Sequence, residues 1–252
     1  MVGVLSAYEA LSTGNHEIRY VLILDEDDFE SHAAARLLPF ATVLIGKRDR
    51  TVNARFNEAV DQFPADVYIQ ACDDAYPLAF HWDAMMHGAQ VLPAFSWQEK
   101  NDPQNATYLC ISEKWRKAVG RFYPEYFPFW FADTWIAEVF LLAFAKPIPV
   151  VNQLQVGGKR GKTQGMRDVG FWFDFYAHTR TERMAEAERI AKASGFTLNC
   201  RRDRQEQIKQ LEAADLWQKG RVELYEKSFG DTGEPSPIYL MCKQRAEQCR
   251  AA

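Results

Sequence analysis

The chain has 252 residues, 47% hydrophobic and 25% charged, which suits one large domain or one domain with an appendage and is too short for two full enzymatic domains. A net charge of −4 argues against a primarily nucleic-acid-binding surface. The five cysteines are scattered, odd in number and without a C-x-x-C pair, so neither a zinc site nor a disulfide framework is indicated.

Leu5 to Leu11 reads as a short amphipathic helix closed by the turn Thr13-Gly14-Asn15. Ile18 to Leu24 is β-branched and almost wholly apolar, the pattern of a strand covered on both faces, and it ends in the acidic loop Asp25-Glu26-Asp27-Asp28. Ala41 to Ile45 is a second such strand. It leads through Gly46-Lys47-Arg48-Asp49 into a helix whose Val52, Phe56, Val60 and Phe63 share one face. A third strand, from Val67 to Ala71, ends in Cys72-Asp73-Asp74, and Pro77 stops its continuation.

Leu78 to Gly88 reads as a helix, Gln90 to Phe95 and Tyr108 to Ile111 as strands, and Glu113 to Val119 as a helix ended by Gly120. Arg121 to Trp130, RFYPEYFPFW, sets aromatics between prolines and predicts an apolar wall or loop. Asp133 opens the helix Thr134 to Ala145, at the position where a short acidic side chain caps free N–H groups. A strand from Ile148 then enters the basic, glycine-rich loop Gly157 to Gly165. An aromatic stretch, His178 and a charged amphipathic helix carry the chain to Ala193, and beyond Gly195 the polar residues read as helices wrapping the main domain.

Strands and helices alternate, and the strands are continuously apolar. This predicts an α/β fold, a mostly parallel sheet flanked by helices, with residues 1–194 as the main domain and 195–252 as a helical extension. No basic stretch leads into an apolar core at the N-terminus, and Trp135 to Ala145 carries Glu138 and is too short to span a bilayer. A cytoplasmic protein without a membrane span is expected.

Adjacent carboxylates at a buried strand end, Asp73 and Asp74, fit either a site for a hard cation such as Mg2+ or Mn2+ or an ordinary solvated turn. The loop carrying Lys159, Arg160 and Lys162 is suited to closing over phosphates. Its segment Val156 to Thr163 nearly spells a phosphate-binding P-loop, but Val156 stands where the leading glycine must be. The aromatics Phe122, Tyr123, Tyr126, Phe129 and Trp130 read as core before sugar-stacking platforms.

In order and separation, the acidic strand end at Asp25, the segment Gly46 to Asn57 with Arg55 and Asn57, the Asp73-Asp74 pair, the stretch Gly120 to Phe127 and Asp133 resemble the GT-A glycosyltransferases, particularly the inverting family-2-like members. The resemblance spans roughly Leu5 to Ile190. It implies a nucleotide-diphosphate sugar as donor, a divalent metal, Mn2+ or Mg2+, and an acceptor hydroxyl. Asp25 would contact the nucleotide base, and Arg48 and Asn57 would help line the donor site. Asp73 and Asp74 would act as the D-x-D element, although Cys72 stands at its first position, so which carboxylate holds the metal stays open. Asp133 would be the general base, a role its capping position leaves open, and His178 would be a late metal ligand, against the alternative of a surface histidine. The family begins with a strand, whereas this chain begins almost directly at a helix. A non-catalytic nucleotide-sugar-binding protein of the same fold is the alternative.

Overall fold

The computed structural model describes residues 1–100, 108–128, 131–157, 167–195 and 233–251, with 205, 206, 208–213, 220 and 222. The chain divides into two compact units, Met1–Tyr123 with Ile148–Lys159, and Pro124–Pro147 with Arg160–Ala252.

The first unit opens on α1 (Val2–Leu11), whose Val4 and Tyr8, one turn apart, are buried. β1 (Tyr20–Asp25) and β2 (Ala41–Gly46) then pair in parallel from Tyr20↔Ala41 to Asp25↔Gly46. The intervening α2 (Phe29–Ala35) is capped by Asp28, whose carboxylate accepts the Ser31 N–H at 3.0 Å. That bond holds the Asp28 carboxyl below the usual carboxylate range. α3 (Val52–Gln62) is capped in the same way by Thr51, which accepts from Ala54 at 3.1 Å.

β3 (Val67–Ile69), β4 (Ala75–Pro77), α4 (Trp82–Ala89), β5 (Ala94–Glu99), β6 (Tyr108–Ser112) and α5 (Glu113–Val119) follow, and β7 (Val150–Val156) returns to complete a five-stranded sheet of order β3-β6-β5-β7-β4. Three of its four pairings are antiparallel and only β5–β7 is parallel. The α/β class stands, but the sheet is mixed and not mostly parallel. Continuous apolar runs mark strands buried on both faces, and a central antiparallel strand such as β6, buried at every position, looks the same in sequence as a parallel one. Pro77 lies within β4, which the sequence did not predict; β4 is an edge strand, where a missing N–H is tolerated. The core is a cluster of Val4, Tyr8, Tyr20, Trp82, Phe95, Trp97 and neighbours, with Tyr8, Trp82 and Trp97 meeting edge-on or tilted at 5.2–5.9 Å.

The second unit holds α6 (Ala132–Phe144), α7 (Val169–His178), α8 (Arg180–Ala193) and α9 (Pro237–Ala251), and Phe127 is fully buried among Phe131 and Trp135 at the start of α6 and Trp172, Phe175 and Tyr176 of α7. A buried polar cluster joins α6, α7 and α8. Glu138 accepts from Tyr176 at 2.7 Å and from Arg180 at 3.2 Å, and its Oε1 lies 3.1 Å from Arg183 Nε. No helix among the described residues is long and apolar enough to cross a membrane.

Candidate functional site

The carboxyl ends of β1 and β2 lie side by side because the strands are parallel and in register. Asp25, the last residue of β1, is paired with Arg48 at 3.2 Å, and Arg48 also reaches Asp27 at 3.2 Å. Two of the sequence candidates, Asp25 and Arg48, are therefore brought together. The Glu26 N–H donates to the Gly46 carbonyl at 2.9 Å, and a His32 ring nitrogen meets the Asp25 carbonyl at 2.8 Å, which fixes the loop's path.

The next loop is held from behind by Arg55. Its guanidinium bonds the Lys47 carbonyl and Glu58, the latter at 2.8 Å. It also lies directly against Gly46, where any Cβ would overlap it. The buried residues of α3 are Asn53, Arg55, Asn57 and Val60, while Val52 is 55% exposed. The apolar stripe predicted for this helix is thus only partly its buried face.

Asn57 has its side chain turned inward. Its Oδ1 accepts the N–H groups of Phe122 and Tyr123, each at 2.9 Å, and its Nδ2 donates to the Tyr123 carbonyl at 2.9 Å. These bonds fix the start of the aromatic stretch, where Phe122 and Tyr123 are core residues.

Asp73 and Asp74 form the turn between β3 and β4, closed by the Ala75 N–H donating to the Cys72 carbonyl at 3.2 Å. Asp73 is exposed and Asp74 partly so. Burial, with the added repulsion of the Asp74 and Asp73 charges, pushes the Cys72 thiol up to about 11. Cys72 is therefore neutral at neutral pH and contributes no charge at the first D-x-D position.

The turn is tied to the basic loop. Because β4 pairs with β7 at Ala75↔Val156, the Gly157 N–H donates to the Asp74 carbonyl at 2.7 Å. A Cβ at Gly157 would meet the Tyr76 ring at 3.0 Å. Lys159 and Lys162, two and five positions further on, lie outside the described residues, as do Phe129 and Trp130.

Among the described residues no three His, Cys, Asp or Glu side chains are grouped so as to hold a metal ion. A divalent ion shared with substrate phosphates needs only one or two protein carboxylates. Among the described residues neither Asp73 nor Asp74 makes a side-chain hydrogen bond or ion pair, and two hard oxygen donors at an accessible turn fit such an ion. His178 belongs to the second unit, where it closes α7 and is exposed.

Asp133 also belongs to the second unit. The residue in the capping position of α6 is Phe131, in the left-handed region at φ 73°, and Asp133 sits in the first turn. Its Oδ1 accepts the Thr134 N–H at 2.7 Å and the Thr134 hydroxyl at 3.3 Å. Burial outweighs these bonds and raises its carboxyl above the usual range. A raised carboxyl beside a strained non-glycine residue is a combination common at functional sites, although structural clusters also produce it. Nothing in the sequence signalled the left-handed Phe131.

Two further residues escaped sequence reasoning in whole or part. Gln70, the residue after β3, accepts a hydrogen bond from the Tyr123 hydroxyl; the available signal was one amide inside the run VYIQA. Gly157 was expected only as part of the basic, glycine-rich loop.

No protein-family model matches the chain, and neither does any curated protein. Among solved structures, the mannosyltransferase PcManGT from Pyrobaculum calidifontis, in complex with GDP-Man and Mn2+, is similar at 11% sequence identity with a TM-score of 0.44, over 100% of this chain and 96% of that one. At that score the likeness gives no residue correspondence.

Proposed function

We propose that the protein is a nucleotide-sugar-dependent glycosyltransferase of the GT-A type, moving a sugar from a nucleoside diphosphate to an acceptor hydroxyl with a divalent metal. The observation that carries this is the bond between Gly157 and Asp74, which joins the carboxylate turn Asp73-Asp74 to the first residue of the basic loop. A diphosphate needs both kinds of charge: metal on carboxylates, and cationic side chains on its remaining oxygens. Asp73 and Asp74 would hold Mn2+ or Mg2+, which when bound neutralises charge on the departing diphosphate. Lys159 and Lys162 are assigned to the same phosphates.

Asp25 and Arg48 are assigned to the nucleoside end; the resemblance assigns Asn57 there too, while its amide is engaged by the backbone of Phe122 and Tyr123. Arg48 is tethered to Asp25 and Asp27, so a nucleotide would have to exchange those exposed ion pairs for its own contacts, a change of little energetic consequence at the surface. Asp133 is assigned the acceptor's proton, supported by its raised carboxyl, which brings a base closer to working pH. The resemblance also makes His178 a late metal ligand.

The test is calorimetric titration of UDP, GDP and other nucleoside diphosphates, with and without Mn2+, into the protein and into Asp73→Ala and Asp74→Ala. Metal-dependent binding that disappears in either variant is expected. A protein that binds no diphosphate under any condition would overturn the proposal. Binding without sugar transfer would leave a non-catalytic nucleotide-sugar-binding protein.

A further inference from the structure

The geometry points to Tyr123 and Gln70 as positioning residues that set the acidic turn Asp73-Asp74 for metal-dependent diphosphate binding, with Asn57 anchoring the pair from α3. This rests on the function proposed above.

The turn is pinned on one side by the Gly157 amide and the β4–β7 ladder. On the other side the β3–β6 ladder stops at Ile69↔Cys110, and the Gln70 N–H adds one more bond, to the Leu109 carbonyl at 3.1 Å. Gln70 is thus the last backbone anchor before the turn, and its side chain is fixed as well, by the Tyr123 hydroxyl. Tyr123 is in turn immobile. Its ring is buried, edge-on to Phe56 at 5.8 Å, and its backbone N–H and C=O are both held by the Asn57 amide. A buried amide clamp, a buried ring and a polar tip therefore link α3 to the residue three positions before Asp73.

The arrangement is more than packing requires. A phenylalanine at position 123 would fill the same space, and an apolar residue at 70 would match the run before it; the hydroxyl–amide bond adds direction without adding buried apolar area. Since a metal shared with phosphates depends on where the carboxylates stand, a turn free to swing on its β3 side would lose the metal-dependent part of the affinity and keep the rest.

The experiment uses Tyr123→Phe, Gln70→Met and the double variant, titrated with GDP and UDP with and without Mn2+, together with amide hydrogen exchange of the unliganded proteins. Each single variant should weaken Mn2+-dependent binding about threefold to tenfold, the range of one hydrogen bond, with the metal-free affinity unchanged. The double variant should be no worse than the weaker single one, because both remove the same bond. Exchange at Ala75, whose N–H closes the turn, should quicken in all three.

Equal losses with and without metal, additive losses, unaltered affinity in Tyr123→Phe, or unaltered exchange at Ala75 would each overturn the positioning role. Failure of the wild-type protein to bind either diphosphate is a different result: it removes the function proposed above, and with it the role assigned here.

Discussion

The amide of Gly157 and the carbonyl of Asp74 are 2.7 Å apart, so the first residue of the basic loop is joined by a backbone hydrogen bond to the residue that bears the second carboxylate of the acidic turn. A Cβ at Gly157 would stand 3.0 Å from the Tyr76 ring, so a branched side chain requires that ring to give way. Gly157→Val should destabilise the protein by about 1–3 kcal/mol, the usual penalty of overpacking, and weaken Mn2+-dependent diphosphate binding. Asp74→Ala keeps the carbonyl, so it should retain the urea midpoint and lose only the binding. A Gly157→Val protein with wild-type midpoint and affinity would count against this arrangement.

Asp133 offers a signature in pH. Its folded-state carboxyl is raised by burial, so between the ordinary carboxylate range and that raised value the folded protein holds more protons than the unfolded one. Stability from this group therefore falls as pH rises through the window. Asp133→Asn removes the penalty while keeping an oxygen for the Thr134 N–H. The variant should be at least as stable as wild type at neutral pH, lose that advantage in acid, bind nucleotide normally and fail in sugar transfer. Thermal unfolding from pH 3 to 8 beside a transfer assay checks both halves.

Arg183 is fully buried, its guanidinium 3.7 Å from the Tyr176 ring centroid, 3.1 Å from Glu138 and 2.9 Å from the Thr179 hydroxyl. Arg183→Met should cost about 3 kcal/mol, the lower end for breaking a buried pair, because Glu138 keeps Arg180 and Tyr176 as partners. Arg183→Lys should also destabilise, since an ammonium lacks the planar face that lies on Tyr176. Urea unfolding of both variants is the measurement; wild-type midpoints would show the cluster to be energetically idle.

Asp168 begins α7 in the left-handed region at φ 51° and accepts from Tyr239 at 2.7 Å and Lys243 at 2.5 Å. Burial opposes ionisation, but the bonds from Lys243 and Tyr239 prevail and hold the carboxyl below its usual range. Its contribution is present above the ordinary carboxylate range and is lost as pH falls through the lowered value. Asn tolerates the same backbone conformation. Asp168→Asn should therefore lose about 1 kcal/mol or less, because the pair is partly exposed, and the difference should vanish in strong acid.

Much of the element order was legible. Glu113–Val119 and its Gly120 stop, and the strands beginning at Ala41, Val67 and Tyr108, were read from local pattern, and the structure has them. What local pattern missed has physical causes. In α3 the buried face is largely polar, Val60 apart, because Asn57 and Arg55 find backbone partners far away in sequence or in the loop before the helix, which no hydrophobic period reveals. β4 has three residues and a proline, so its strand character comes from β7, about 80 positions later. Asp25 and Arg48 were found separately, and only the parallel register of β1 and β2 shows them paired. The role of each carboxylate rested on resemblance, since sequence cannot tell a solvated turn from a metal ligand.

The β1–β2 pair is a sheet of two strands, hydrogen-bonded to each other and to no strand of the larger sheet among the described residues. Val43 and Ile45 on β2 are 40% and 52% exposed. A two-stranded ribbon is marginal alone, so this ribbon should be the part of the first unit that opens by local unfolding well below the global unfolding free energy. Asp25 and Arg48 stand at its end. The nucleoside end of the proposed site would then be built on the least cooperative part of its unit, and nucleotide binding should appear as slowed amide exchange along Val21 to Leu24 and Thr42 to Ile45, with the five-stranded sheet already protected before ligand arrives.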